Sequence, residues 1–197
     1  MNRLFKKISA FVENVKSDYH QTVDFKNKYS EFGIRNDPSA SDTPSILKLF
    51  ATNIGFQSIV VIRAMQLARD LSIPFGGEVL SRLIRHLYGM EIHWQADIAP
   101  GISLVHGNGI VISKAAKVND GCLLFQNVTL GHSRNPKSGE VGAPTVERNV
   151  HIGPGATLLG PITVGEGSKI MAGAVLAQSV PANSVVKPAE ASIQSRT

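Results

Sequence analysis

The sequence predicts a mainly β protein with an α-helical part ahead of it. The β portion reads as a parallel β-helix of hexapeptide repeats, about five coils long with one extruded loop. Three observations carry this. Apolar residues recur at steps of six from Ile92 onward, those before residue 90 follow a helical period, and one polar, breaker-rich stretch interrupts the hexads.

The six-residue series runs Ile92, Ile98, Leu104, Ile110, Ala116, Cys122 and Val128, and continues at Val146, Ile152, Leu158, Val164, Ile170 and Leu176. A step of six fits neither a helix nor an alternating strand. It is the spacing of a parallel β-helix, in which each short strand buries one aliphatic side chain before the chain turns a corner. Gly153, Ala156, Gly165, Ser168 and Ala174 fall at the tight positions between strands. Three hexads make one triangular coil, so the step from Val128 to Val146 spans a whole coil. Its sequence, GHSRNPKSGEVGAP, lacks the aliphatic series and is expected to leave the coil as an extended, functional loop. The expected organisation is a helical region over 1–89, the β-helix over 90–183 with its loop at 131–145, and a tail over 184–197.

In the first part Leu4, Ile8, Phe11, Val12 and Val15 share one helical face, flanked by Arg3, Lys6, Lys7 and Lys16. Two readings stay open for this helix: a packing or oligomer contact, and a basic amphipathic helix in peripheral contact with a membrane. Asn36–Ser45 forms a turn and N-cap, and Ile46–Ala68 is apolar enough for a buried helix or helix pair. IPFGG breaks that run, and Val79, Leu80, Leu83, Ile84 and Leu87 give one more amphipathic helix.

Composition narrows the function classes. The formal charge of +5 suits a polyanionic ligand, but no dense basic run and only 6% aromatics argue against nucleic acid. Cys122 is the single cysteine, so no intrachain disulfide forms and a reducing, cytoplasmic setting is expected. No signal peptide or transmembrane segment is expected, since the apolar run at Ile59–Ile62 ends at Arg63.

The run MEIHWQADIAPGISLVHGNGIVISKAAKV, with FQNVTLG and HIGPGATLLGPITVGEGSKIMAGAVL, resembles the serine acetyltransferase family of left-handed β-helix enzymes. It also resembles the related acetyltransferases that decorate bacterial exopolysaccharides and lipopolysaccharides. The most specific element is EIH, followed thirteen positions after its histidine by HGNGIVI. The resemblance implies left-handed coils, homotrimers or dimers of trimers, acetyl-CoA as cosubstrate, and sites between neighbouring subunits. It makes His106 the catalytic base and Glu91 its carboxylate partner, with Asp97 a second carboxylate within reach. A neutral imidazole is the natural base near pH 7, and a carboxylate on its other nitrogen fixes the tautomer. His93, Asp97, His132, Arg134 and Asn135 are the candidates for the acceptor. Gly131, Gly155, Ala172 and Gly173, with Lys169 for a phosphate, are those for coenzyme A. No histidine pair has the spacing of a zinc site, and no metal is expected.

Four departures from that family stand out, and the first two bear on the acceptor. Serine acetyltransferases carry an aspartate directly before the base, where this chain has Val105, and an Arg-His-Pro in the loop, where it has Gly142-Ala143-Pro144. Lys187-Pro188-Ala189 replaces a Gly-Val-Pro-Ala segment, and Arg196-Thr197 replaces an isoleucine tail. Asp37 or Asp42 matches a further substrate aspartate. An ammonium and a carboxylate need charged partners in a partly dry pocket. The expected reaction is therefore acetyl transfer to a hydroxyl, of a sugar in polysaccharide biosynthesis first. Serine and a non-catalytic β-helix scaffold are the alternatives, and N-acetylation of an amino-sugar would use the same base.

Overall fold

The computed structural model describes residues 3–31, 43–135 and 138–190; Asp37, Asp42 and Arg196-Thr197 lie outside them. Four helices come first: α1 (Arg3–Glu31), α2 (Ile46–Thr52), α3 (Ile54–Asp70) and α4 (Gly76–Tyr88). Ser45 Oγ accepts from Lys48 N to cap α2, and Asn53 Oδ1 accepts from Phe56 N at 2.8 Å to cap α3. The apolar stretch expected as a helix or helix pair is thus a pair. Among the described residues no single helix is long and apolar enough to cross a membrane.

From Glu91 the chain winds as a parallel solenoid of about five turns, its strands stacked into three faces. The first face holds β1 (Glu91–Ile92), β4 (Val111–Ile112), β7 (Thr129–Gly131), β12 (Thr157–Leu159) and β15 (Val175–Leu176). The second holds β2 (Asp97–Ile98), β5 (Lys117–Val118), β10 (Thr145–Val146) and β13 (Thr163–Val164). The third holds β3 (Ser103–Val105), β6 (Leu123–Phe125), β11 (His151–Ile152), β14 (Lys169–Ile170) and β16 (Val185–Val186). The remaining strands, β8 (Ser133–Arg134) and β9 (Val141–Gly142), form an antiparallel hairpin outside the prism.

Strand register corrects the hexad phase. Ile92 pairs with Ile112, Ile98 with Val118 and Leu104 with Leu124, each 20 positions on. The inward strand residues of the second coil and the start of the third are therefore Ile112, Val118, Leu124 and Leu130, and not Ile110, Ala116, Cys122 and Val128. These four are also fully buried, but they fill a second interior position two residues ahead of each strand residue. Each hexad thus buries two side chains, and the second is often small, as at Ala156, Ser168 and Ala174. Gly153 and Gly165 sit where a Cβ would meet the backbone of the next coil, at 2.8 Å from Ala172 N and 2.4 Å from Ala182 N. The loop leaves the coil as expected, over fewer residues than a whole coil. Val118 pairs with Val146, 28 positions on, against 18 for the following step to Val164, so ten residues are inserted. They fold back as the β8–β9 hairpin and are not extended throughout.

The helices are fastened to the first coil by a buried ion pair. Asp18 of α1 and Arg63 of α3 are 0% and 1% exposed and joined twice, Nε to Oδ2 at 2.7 Å and Nη2 to Oδ1 at 2.9 Å. Arg63 also donates to the carbonyls of Ile98 and Ala99, at 2.7 Å each, and to Gln66. Asp18 Oδ1 accepts from the backbone N–H of Gly101 and Ile102. Every polar atom of the pair is thereby engaged, as burial requires. Beyond it α1 crosses the third face, with Gln21 donating to Gly121 O and Phe25 meeting Phe125 edge-on at 5.9 Å. At its start Leu4, Phe5, Ile8 and Val12 are exposed.

Removing one partner strands a buried charge. Asp18→Ala is expected to destabilise the protein by about 3–5 kcal/mol, and Asp18→Ala with Arg63→Met to recover much of that. Urea unfolding midpoints of wild type and the two variants check it, and equal midpoints for the single variant and wild type would refute it.

Candidate functional site

Three edges separate the faces. The edge between the third and first faces carries the expected base. Regular corners there follow one pattern: Gly109, Asn127, Gly155 and Gly173 all take a left-handed backbone, with φ of 64°, 58°, 67° and 71°. Backbone bonds tie them coil to coil, Asn127 N to Asn108 O, Gly155 N to Gln126 O and Gly173 N to Pro154 O. Val105 pairs with Phe125, and the next link joins Asn108 to Asn127 with only Gln126 between them on the lower coil. His106 and Gly107 are thus a two-residue insertion, and without them this corner would match the one below it.

The insertion aims the histidine. His106 is exposed and has φ 61°; the other non-glycine solenoid residues with positive φ, among those described, are Asn127, Asn149 and Asn183. Asparagine tolerates that region, whereas histidine there costs about 1–2 kcal/mol, a strain that persists only where neighbours impose it. The neighbours here are helical. A Cβ on Gly55, in the first turn of α3, would lie 1.9 Å from Leu104 O. One on Gly107 would lie 2.9 Å from both Gly55 Cα and Met90 Cε. Glycine on both sides lets the helix reach the corner and hold it.

The other expected residues divide between two edges. Glu91, on the strand that neighbours β4, lies beside the His106 edge as expected. Its carboxylate, however, is joined to Arg85 Nη2 at 2.9 Å and not to His106. Gly155, Ala172 and Gly173 are exposed along the same edge, below His106. A Cβ at Gly155 or Gly173 would meet nothing within 4 Å, so the left-handed corner accounts for glycine at both. Lys169 is exposed on the third face, in register with His151.

Gly131 departs from this group. It lies across the first face at the opposite edge, its carbonyl accepting from Gly160 N, and a Cβ there would lie 2.6 Å from Leu159 Cδ2. His93, His132, Arg134 and Asn135 are at that loop edge too. Asp97 begins the second face in register with Lys117 and is not within reach of His106 in the same chain. Arg134 Nη1 donates to Gly139 O at 2.8 Å, and Asn135 bonds Ser138 N and the backbone of Gly139 and Glu140, so both shape the hairpin. Gly142 lies where a Cβ would be 2.9 Å from Pro161 Cβ. A larger residue at this place would force the hairpin off the coil.

Two imidazoles are held towards their neutral forms. His93, stacked on Trp94 with ring centroids 6.1 Å apart, has its pKa lowered by burial and then by Lys114, against the pull of Glu78 and Glu91. Its Nδ1 accepts from Gln95 N at 3.1 Å. His151 is lowered by burial, then by Lys169 and Lys28. Among the described residues no group of three or more His, Cys, Asp or Glu could hold a metal ion.

The family model for bacterial transferase hexapeptide, six repeats, matches residues 143–178. The serine acetyltransferase of Helicobacter pylori is 32% identical over 151 residues, 77% of this chain and 85% of that protein. The chain belongs to the serine acetyltransferase family. The serine acetyltransferase of Synechococcus elongatus is 38% identical over 164 residues, 82% of this chain, and the match spans 65% of that protein's length. Among solved structures, serine acetyltransferase isoform 3 from Entamoeba histolytica, in complex with cysteine, superposes with a TM-score of 0.74 at 26% identity. That match covers 98% of this chain and 64% of the other.

His93 and His151 fix the sign of an acid-side effect. Their folded pKa values lie below the ordinary 6.5, so the unfolded chain takes up the protons first as pH falls. Stability from both is expected to be present above about pH 6.5 and to be lost as pH drops below it. Urea midpoints across that range should decline less steeply in His151→Gln; an unchanged slope would contradict this.

Proposed function

We propose that the chain transfers acetyl from acetyl-CoA to an alcohol, with His106 as the general base. The observation that supports this most is the inserted, left-handed His106 at the head of an open edge, strained where nothing in the coil requires it. Neutral imidazole takes the hydroxyl proton as the oxygen attacks the thioester carbon. The tetrahedral intermediate then expels the coenzyme A thiolate, which takes that proton back from the imidazolium and leaves as the thiol. The cosubstrate lies along the edge past Gly155, Ala172 and Gly173, with Lys169 near a phosphate. Glu91 serves as the carboxylate of the base once it exchanges Arg85 for the imidazole.

For the acceptor, L-serine is supported by the names of the relatives. A sugar hydroxyl is the second reading, and a specific observation favours it. Val105, beside the base, pairs with Phe125, which meets Phe25. This wall carries no carboxylate for an ammonium group, and the loop has Gly142 and Ala143 where the resemblance leads one to expect Arg-His. Acetyl-CoA and the single cysteine fit a cytoplasmic reaction.

The site is completed by a second copy. About 20 Å of extended chain, one hexad at 3.3 Å per residue, lies between the His106 edge and the loop edge. His93, Asp97, His132, Arg134 and Asn135 therefore reach an acceptor at His106 only across an interface between side-by-side subunits, as in a homotrimer or a dimer of trimers.

His106→Ala is expected to lower kcat by about 10²–10⁴-fold with little change in affinity for coenzyme A. Equal turnover would remove His106 from the mechanism. Colorimetric thiol release with L-serine and with sugars or sugar nucleotides separates the acceptors: turnover with serine alone upholds the first reading, and turnover with a sugar alone the second. No thiol release with any acceptor, together with no coenzyme A binding in calorimetry, would leave a scaffold.

A further inference from the structure

Gln126 occupies the position directly beneath the insertion that carries His106. It follows Phe125, the partner of Val105, and precedes Asn127, which bonds Asn108 on the far side of the insertion. Its backbone carbonyl accepts from Gly155 N at 3.0 Å, so the residue links the coil of the base to the lower edge. Gln126 is half-buried, and its Oε1 is buried without a hydrogen-bond partner, as among the described residues is only Ser113 Oγ besides. Ser113 follows β4 and opens the turn at the loop edge, away from His106.

A buried amide oxygen without a donor is a standing penalty in the unliganded fold, and such atoms call for a reason. Leucine or methionine would fill the same volume at no such penalty. The position suits a ligand instead, because a donor brought along the edge towards His106 passes this side chain. The terminal torsion of glutamine is soft, so a small rotation presents Oε1 outward.

We infer that Gln126 is a binding residue for the acyl donor. Its Oε1 accepts a hydrogen bond from an amide N–H of the pantetheine arm and so sets how far the thioester travels past His106. The inference rests on the acetyl-transfer reading above. It makes Gln126 a residue whose polar group weakens the empty fold and strengthens the complex, which separates it from a purely structural glutamine.

The experiment is calorimetric titration of acetyl-CoA into the full chain, with thermal melts and steady-state kinetics, for wild type, Gln126→Leu and Gln126→Glu. Gln126→Leu is expected to melt at or above the wild-type temperature while binding acetyl-CoA about tenfold more weakly, the worth of one good hydrogen bond. Gln126→Glu keeps an acceptor oxygen and is expected to retain most of the affinity. Equal affinity in Gln126→Leu and wild type overturns the inference, as does a lower melting temperature with unchanged affinity. A displaced pH–rate profile at unchanged affinity would show Gln126 acting on His106, and would also overturn it. Gln126→Met replaces the leucine variant if that one does not fold. Wild-type protein that binds no acetyl-CoA sinks the acetyl-transfer reading itself, whereas binding that ignores residue 126 sinks this inference alone.

Discussion

The contact between Asp18 and Arg63 decides how the two halves of the molecule meet. A parallel solenoid can carry helices at its open end in many orientations, because apolar packing alone is non-directional. A bidentate carboxylate–guanidinium pair is directional, and this one is also bonded to the carbonyls of Ile98 and Ala99 and to the N–H groups of Gly101 and Ile102. It fixes α1 and α3 against the corner between the second and third faces. From that anchor α3 runs back to bring Gly55 onto Leu104, and α1 runs on to bring Phe25 onto Phe125. Both contacts flank His106, so a pair distant from that corner sets the walls around the imidazole.

Much of this was legible in the sequence, and the part misread has a definite cause. From Glu91 to Val175 the strands of the three faces begin at steps of six except twice: Ser103 to Val111 takes eight, and Thr129 to Thr145 takes sixteen. The surplus of two at the first is cancelled by the second, whose remainder leaves the series in its original phase. Ile110, Ala116, Cys122 and Val128 are apolar in their own right, since they fill the second interior position. A count by sixes therefore stayed on buried residues while sliding to the wrong one. Parallel pairing in the structure exposes the slip, because Ile92 meets Ile112 and not Ile110.

Of the candidate site, the sequence brought out some residues that the fold sets along one edge and missed others. His106 stood out through HGNGIVI, and Glu91, Gly155, Ala172 and Gly173 do lie along its edge. Residue type could not tell which edge Gly131 or Asp97 belongs to, because the two-residue and ten-residue insertions hide the coil boundaries. Gly55 and Asp18 went unnoticed for another reason: each acts through a contact distant in sequence and carries no local signal. Gln126 was read as part of FQNVTLG. Only the unsatisfied Oε1 set it apart.

The stacking of corners along the His106 edge makes that edge a ruler. Successive coils rise by the inter-strand spacing of about 4.8 Å, and Gln126, Gly155 and Gly173 mark successive graduations below His106. A ligand laid along it is measured in whole coils, since the backbone bonds that join the corners leave no intermediate setting. Any change of reach must come either as a gained or lost repeat or as a shift of the zero mark. The inserted His106-Gly107 pair is such a shift, so a shorter or longer insertion there would move the imidazole relative to every corner beneath it.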